Sequence, residues 1–301
     1  MSHVHGVLVL VALLWGLNPP VMKLGLEEVP PMAYNAIRML AALAVGWIVF
    51  RRAAVWLPLR REDLRLLAVS SFGFFSFQIF FTFGVQLTTA GNASLILGLL
   101  PVSVAIINRI HGLEGIRRLT VAGIVVSLLG VLVMVWGAGK EFSLAGPHVL
   151  GGLLLLCAQL GYGYYTVFSR LLLVRYSPYQ VTAYVILTTT ILFVLVALPD
   201  MLAVDWSALS TVAWSSVLYS GVFPLSLANG LWVWATGKVG STTASLYNNL
   251  APVFAVAAGY AFLGEAFGGV QVLGAGVIFA GLYLTRWAQR RQKKKKNKGC
   301  Q

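Results

Sequence analysis

The chain alternates between long apolar stretches and short polar breaks. Ten stretches approach the roughly 20 residues that a helix needs to cross a bilayer. They fall at residues 4–24, 31–50, 65–87, 90–110, 119–137, 148–169, 178–198, 210–235, 241–263 and 269–287. The third and fourth run close together, as do the eighth and ninth. The pattern predicts an all-α membrane protein of ten transmembrane helices, with no room for a soluble domain. The first stretch has no basic leader and no small-residue cleavage site, and Asn18-Pro19-Pro20 interrupts it. It reads as a retained helix rather than a signal peptide.

The chain also resembles itself. Residues 88–133 and 239–284 align without a gap at an offset of 151, with 11 of 46 positions identical. The matches include Ala93-Ser94-Leu95 with Ala244-Ser245-Leu246, Pro101-Val102 with Pro252-Val253, Glu114 with Glu265, Gly123 with Gly274 and Gly130 with Gly281. Shared prolines, glycines and glutamates are not what an apolar bias supplies. Two copies of a five-span unit must sit upside down relative to each other, the architecture of alternating-access transporters. The expected units are residues 1–138 and 147–287, followed by a polybasic tail at 288–301.

Composition excludes a soluble protein. Hydrophobic residues make up 58% of the 301 positions and charged ones 10%, against about 25% charged in ordinary soluble domains. The basic residues give orientation. With the N-terminus cytoplasmic, 19 of the 22 lysines and arginines fall in inner loops or in the tail. Glu27, Glu28, Glu141, Asp200 and Asp205 then lie outside. The net charge of +13 is therefore a topology signal and not a nucleic-acid footprint, and the chain is expected in the cytoplasmic (inner) membrane with both termini on the cytoplasmic side. The tail KKKKNK is disordered by composition and suited to anionic lipid.

Several polar residues fall inside spans, where they are costly unless they meet water, backbone or solute. Pro101 lies about 16 Å along the fourth span at 1.5 Å per residue, near mid-depth, and Pro252 occupies the equivalent place in the ninth. Each proline frees the carbonyl four residues back, at Leu97 and Asn248. The matched pair of kinks suits a cavity between two repeats. Ser245, Asn248, Asn249 and Pro252 follow helical spacing and share one face; the fourth-span counterpart carries Ser94, Leu97, Gly98 and Pro101. Asn248 and Asn249 are the first candidates for contacts to solute, the alternative being helix–helix hydrogen bonds.

The same offset sets Gln78 against Asn229, each among aromatics: Phe77, Phe80 and Phe81 on one side, Trp232 and Trp234 on the other; with Trp15, Asn18 and Tyr162 these read as a cavity wall that binds an amphipathic solute, to which Ser94 and Ser245 also belong. Trp15 and Asn18 share a face of the first span beside Pro19 and Pro20, and Tyr162 and Tyr165 hold the corresponding region of the sixth. Arg38 is the basic side chain placed inside a span. Two roles are open for it: pairing a solute carboxylate or moving as a gating charge, and tying helix ends through backbone carbonyls. Glu114 and Glu265 precede helices, where a carboxylate is stabilised by the N-terminal dipole. Gly123, Gly130, Gly274, Gly276, Ala280 and Gly281 give the fifth and tenth spans small-residue edges suited to scaffold packing or a homodimer.

The opening LLWGLNPPVMKLG, the arginine in AYNAIRMLAAL, the paired Ala-Ser-Leu and Pro-Val segments and the glutamates before the fifth and tenth spans resemble the EamA-type branch of the drug/metabolite transporter superfamily. The resemblance covers about residues 5–287. It implies ten helices as two inverted five-helix repeats, and a central cavity lined mainly by helices 1–4 and 6–9. It also implies export or exchange of small metabolites, often amino acids; hydrophobic or aromatic ones suit the aromatics noted above. Cationic drugs and nucleosides are alternative cargoes. A lipid-modifying intramembrane enzyme is the rival class. The four histidines (His3, His5, His111, His148) are scattered, no metal-ligand spacing occurs, and no metal or cofactor is expected. No span carries an acidic residue at depth beyond Glu265, so solute exchange is expected in preference to obligatory proton antiport.

Overall fold

A computed structural model describes residues 2–53, 55–87, 96–113, 118–137, 146–254 and 268–298. Ser94, Glu114 and Glu265 lie outside the described residues. In chain order the helices are α1 (Ser2–Leu26), α2 (Pro31–Ala53), α3 (Leu64–Leu87, entered through a 3-10 turn at Arg61–Asp63), α4 (Leu100–Ile110) and α5 (Arg118–Gly137). The second half holds α6 (Gly146–Leu172), α7 (Pro178–Ala203), α8 (Thr211–Val239), α9 (Ser241–Tyr247, continuing to residue 254) and α10 (Gly269–Lys298). Among the described residues there is no strand. Helices α1, α2, α3, α6, α7 and α8 are long and apolar enough to cross a membrane. The apolar helices Leu100–Ile110, Arg118–Gly130 and Val272–Gly281 are shorter, and parts of the fourth and ninth predicted spans fall on residues 88–95 and 255–267, outside the description.

Local sequence explains several boundaries. Ser177 caps α7 by accepting from the Gln180 N–H, with Pro178 at the first helical position, and Ser210 caps α8 by accepting from the Ala213 N–H. Gly240 joins α8 to α9 at φ +89°, a conformation that favours glycine. The polybasic segment, expected to be disordered, continues α10 as helix to Lys298; lysine, arginine and glutamine are good helix formers.

Close approaches fix which helices pair and in which direction. Gly73 of α3 faces Gly161 of α6, and Gly84 faces Leu155 and Gly151, so this pair runs antiparallel. Trp15 with Pro224, Asn18 with Ser220 and Val21 with Ser216 make α1 and α8 antiparallel. The Thr190 hydroxyl reaches the Met39 carbonyl while Phe50 stacks on Tyr179, so α2 and α7 are antiparallel as well. In the α5–α10 pair, Gly130 abuts the backbone of Gly274 and Ile278, while Gly281 abuts that of Gly123 and Ser127. Adding 151 to one partner and subtracting it from the other turns the first set of contacts into the second. The glycines singled out in the sequence are thus consumed within the chain, whereas Gly276 and Ala280 stay on the exposed face of α10.

Candidate functional site

Helix α8 is not regular. Pro224 cannot donate to the carbonyl four residues earlier, and Gly221–Ala228 widens into a π-helix, a form often found at functional sites. Asn229 repairs the damage: its amide donates to the Pro224 carbonyl at 3.2 Å and to the Leu225 carbonyl at 2.9 Å. The Trp15 indole donates to the same Pro224 carbonyl at 3.2 Å. In α9 the Asn248–Leu250 turn is 3-10, which breaks the regular helical spacing expected there. Asn248 and Asn249 therefore diverge. The Asn248 amide donates to the Leu97 carbonyl at 2.8 Å, the carbonyl that Pro101 frees. The Asn249 amide instead donates to Ser127 Oγ of α5 at 2.8 Å.

A cavity of about 600 Å³, counted to its open mouth, lies among α1, α2, α3, α4, α6, α8 and α9 and the turn leading into α4. Trp15, Asn18, Arg38, Gln78, Tyr162, Asn229 and Asn248 line it, with Pro19, Phe77, Phe81, Leu97, Leu100, Gln159, Pro224, Leu225 and Ala251. The first seven are residues that the sequence marks as solute-binding, and the fold brings them together. Ser245 does not line the cavity; its hydroxyl returns to the Thr242 carbonyl. Asn249, Pro101 and Pro252 lie behind the lining, the prolines acting through neighbours such as Leu97, Leu100 and Ala251. Ser94 falls outside the description. Gln159 is inconspicuous in the sequence, because its counterpart at the repeat offset is the apolar Leu8. Its position three residues before Tyr162, on one helix face, is the signal that would have found it.

One wall is aromatic. Trp15 meets Tyr162 edge-on at 5.5 Å between centroids and Trp232 at 4.9 Å, and Phe77 meets Tyr162 at 4.7 Å and Phe81 at 5.2 Å. The Tyr162 hydroxyl donates to Asn229 Oδ1 at 2.8 Å. Beside it lies a cationic pole. Arg38 is 1% exposed, and its guanidinium is held by neutral acceptors: Nε to Asn35 Oδ1 at 2.7 Å, Nη1 to Ser220 Oγ and Met22 Sδ at 2.9 Å, and Nη2 to Gln78 Oε1. Ser220 in turn donates to Asn18 Oδ1 at 2.8 Å, and Asn35 donates to Thr82 Oγ1 at 2.6 Å. Among the described residues no carboxylate pairs with Arg38. A buried charge balanced only by dipoles is costly and attracts an anion strongly in such surroundings. The Gln78 Nε2 and Gln159 Oε1 atoms are buried without hydrogen-bond partners. The cavity therefore offers an aromatic surface, a fixed positive pole and polar groups with unused capacity. Among the described residues no group of three His, Cys, Asp or Glu is placed to hold a metal ion.

Away from the cavity, polar links tie loops together. Glu28 accepts from the Ser210 hydroxyl and N–H, which hold its carboxyl below its ordinary range. At the other helix ends, Asp63 accepts from Tyr176 and Arg175 at 2.8 and 3.0 Å, and Gln180 pairs its amide with the backbone of Leu57.

The two neighbouring asparagines are expected to respond differently. Asn248→Ala removes a lining amide and orphans the Leu97 carbonyl, and should lower solute flux severalfold. Asn249→Ala removes an α9–α5 bond and should lower stability by about 1 kcal/mol with little change in apparent affinity. Counterflow rates set beside detergent melting curves separate the two, and identical behaviour would contradict their divergence.

The comparisons with known proteins agree with this arrangement. The model of the EamA-like transporter family matches residues 5–136 and 149–287, one match on each half. An uncharacterized transporter, YetK, of Bacillus subtilis is 28% identical over 90% of this chain and 82% of its own length. A probable amino-acid metabolite efflux pump of Salmonella typhimurium is 28% identical over 94% of this chain and 95% of its own. A probable terminal-alkyne amino-acid exporter of Streptantibioticus cattleyicolor is 27% identical over 94% and 93%. A solved crystal structure, 22% identical, superimposes with a TM-score of 0.78 over 97% of this chain and 99% of that one, so the fold is shared. With both halves matched and long apolar helices gathered around a cavity, the chain is a multi-pass membrane transporter, not an enzyme, and belongs to the EamA-like transporter family.

Proposed function

We propose that this transporter exports or exchanges small amphipathic carboxylates across the cytoplasmic membrane, foremost amino acids with hydrophobic or aromatic side chains. The observation that carries the reading is Arg38, buried at the cavity without a carboxylate partner among the described residues and lining it together with the aromatic wall. A solute carboxylate neutralises that charge, and an apolar side chain replaces water against Trp15, Phe77 and Tyr162. A cationic drug would bring like charge to the site, and a neutral nucleoside would leave the guanidinium uncompensated. The relatives named for amino-acid efflux point the same way.

Transport proceeds by alternating access between two inverted five-helix repeats, with both termini cytoplasmic. The self-matching α5–α10 contacts support this reading, because equivalent helices related by an axis along the membrane normal would run parallel, whereas these run antiparallel. The Asn248–Leu97 bond joins residues 151 apart, the repeat offset, near where the axis would pass. A homodimer through α5 and α10 would use the exposed Gly276–Ala280 edge, since the other glycines are occupied within the chain. Among the described residues no Asp or Glu lines the cavity, which favours exchange driven by the solute's own gradient.

The test is counterflow in proteoliposomes loaded with phenylalanine, leucine, uridine or tetraphenylphosphonium, with and without a pH gradient at clamped potential. Phenylalanine and leucine should exchange, uridine and tetraphenylphosphonium should not, and the pH gradient alone should drive no accumulation. Flux of the organic cation without amino-acid flux would overturn the substrate class; uphill accumulation that a protonophore abolishes would overturn the coupling.

A further inference from the structure

Gln159 takes no part in the bonding that organises the cavity. It is 2% exposed and lines the cavity from α6. Its Oε1 lacks a hydrogen-bond partner, which few buried polar atoms in folded proteins do. The antiparallel register of α3 and α6, with Gly73 facing Gly161, sets Gln78 level with position 156. Gln159 therefore sits within about 4.5 Å of the Gln78 level along the helix axis, at 1.5 Å per residue. Gln78 bonds Arg38 through Oε1 and leaves its own Nε2 without a partner. At one depth the cavity thus presents unused donor capacity beside a cation and, from another helix, an unused acceptor. A solute bearing a carboxylate and an ammonium group on one carbon satisfies both at once.

We propose that Gln159 receives the α-ammonium group of the transported solute and so distinguishes amino acids from simple carboxylic acids with the same side chain. This rests on the amino-acid reading given above and names the residue that reads the amine. A neutral acceptor suits the place. A carboxylate at the level of Gln78 could pair with Arg38 and cancel the charge that draws the solute's own carboxylate. Tyr162, one turn on along the same face, has committed its proton to Asn229. Its oxygen lone pair is left to share an ammonium.

The experiment titrates the purified full-length chain in detergent micelles with L-phenylalanine and with 3-phenylpropionate, which lacks the amine. The wild-type chain should prefer phenylalanine by about tenfold or more, the scale of one hydrogen bond to a charged group. Gln159→Met keeps the side-chain shape and removes the acceptor. It should bring phenylalanine down to the affinity of 3-phenylpropionate and leave the latter unchanged. Gln159→Glu should weaken both ligands by holding Arg38. A Met variant that keeps the wild-type ratio overturns the proposal. If that variant does not fold, a Glu variant binding both ligands undiminished does so. A wild-type chain that binds 3-phenylpropionate but not phenylalanine would overturn the amino-acid reading itself, and the role of Gln159 with it.

Discussion

Arg38→Met is expected to lower amino-acid exchange by roughly tenfold to a hundredfold, the loss of charge-assisted hydrogen bonds to the solute. Folding is expected to change far less, because two effects oppose. The substitution leaves Asn35 Oδ1, Ser220 Oγ and Gln78 Oε1 without their donor, which destabilises. It also removes a charge that sits 1% exposed with no carboxylate beside it among the described residues, and replacing such buried charge by apolar volume is often neutral or stabilising. Arg38→Lys separates charge from geometry. An ammonium on a flexible stem keeps the charge but cannot span Met22, Asn35, Gln78 and Ser220 together. Its exchange rate should therefore fall between wild type and Arg38→Met. Counterflow of labelled phenylalanine and thermal unfolding in detergent are the measurements. If both variants exchange like wild type, Arg38 does not meet solute. If both unfold together and the surviving fraction exchanges normally, Arg38 only ties helices, the other role open to it from the sequence.

The candidates legible in sequence were those carrying a second, independent signal. Gln78 and Asn229 mark each other through the repeat offset. Trp15 and Asn18 share a helix face beside two prolines, and Arg38 is conspicuous as a charge in an apolar run. All of them reach the cavity. The misses have local causes. Ser245 spends its hydroxyl on the Thr242 carbonyl, and Asn249, about a third of a turn beyond Asn248 in the 3-10 stretch Asn248–Leu250, reaches Ser127 of α5 instead. The π-helical stretch of α8 had a cue in Pro224, but hydropathy does not reveal that Asn229 would close on the widened turn. Asn229 thus reads as a solute amide in sequence, yet in the structure both its side-chain atoms are bonded within the protein. Gln159 lacked a polar counterpart in the other half. Pattern reading finds the helices because lipid imposes their length and polarity; it does not find which free amide lacks a partner, because that depends on packing between helices far apart in sequence.

The largest effect on stability is expected where α3 and α6 touch, since α3 supplies Phe77 and Gln78 to the cavity and α6 supplies Gln159 and Tyr162. A Cβ at Gly161 would meet the Gly73 carbonyl oxygen at 2.7 Å and the Phe77 nitrogen at 3.0 Å; one at Gly73 would meet the Gly161 carbonyl oxygen at 2.7 Å and the Tyr165 nitrogen at 2.9 Å. The obstacles are backbone atoms, so no rotamer change relieves them and the helices must separate. Gly161→Ala should gain the ~1 kcal/mol that alanine brings to a helix interior, yet lose about 1–3 kcal/mol to overpacking and further contacts as the helices part. Gly6→Ala is the matched control, since a Cβ there meets nothing within 4 Å and should be neutral or slightly stabilising. Gly73→Ala with Gly161→Ala together should cost less than the sum of the two, because the first substitution already opens the gap that the second needs. Exchange should fall with Gly161→Ala even at temperatures where the protein stays folded, as Tyr162 of α6 parts from Phe77 of α3 and the aromatic wall opens. Melting curves and counterflow on the four variants decide it: a Gly161→Ala protein that melts at or above the Gly6→Ala control would mean that α3 and α6 are not in backbone contact.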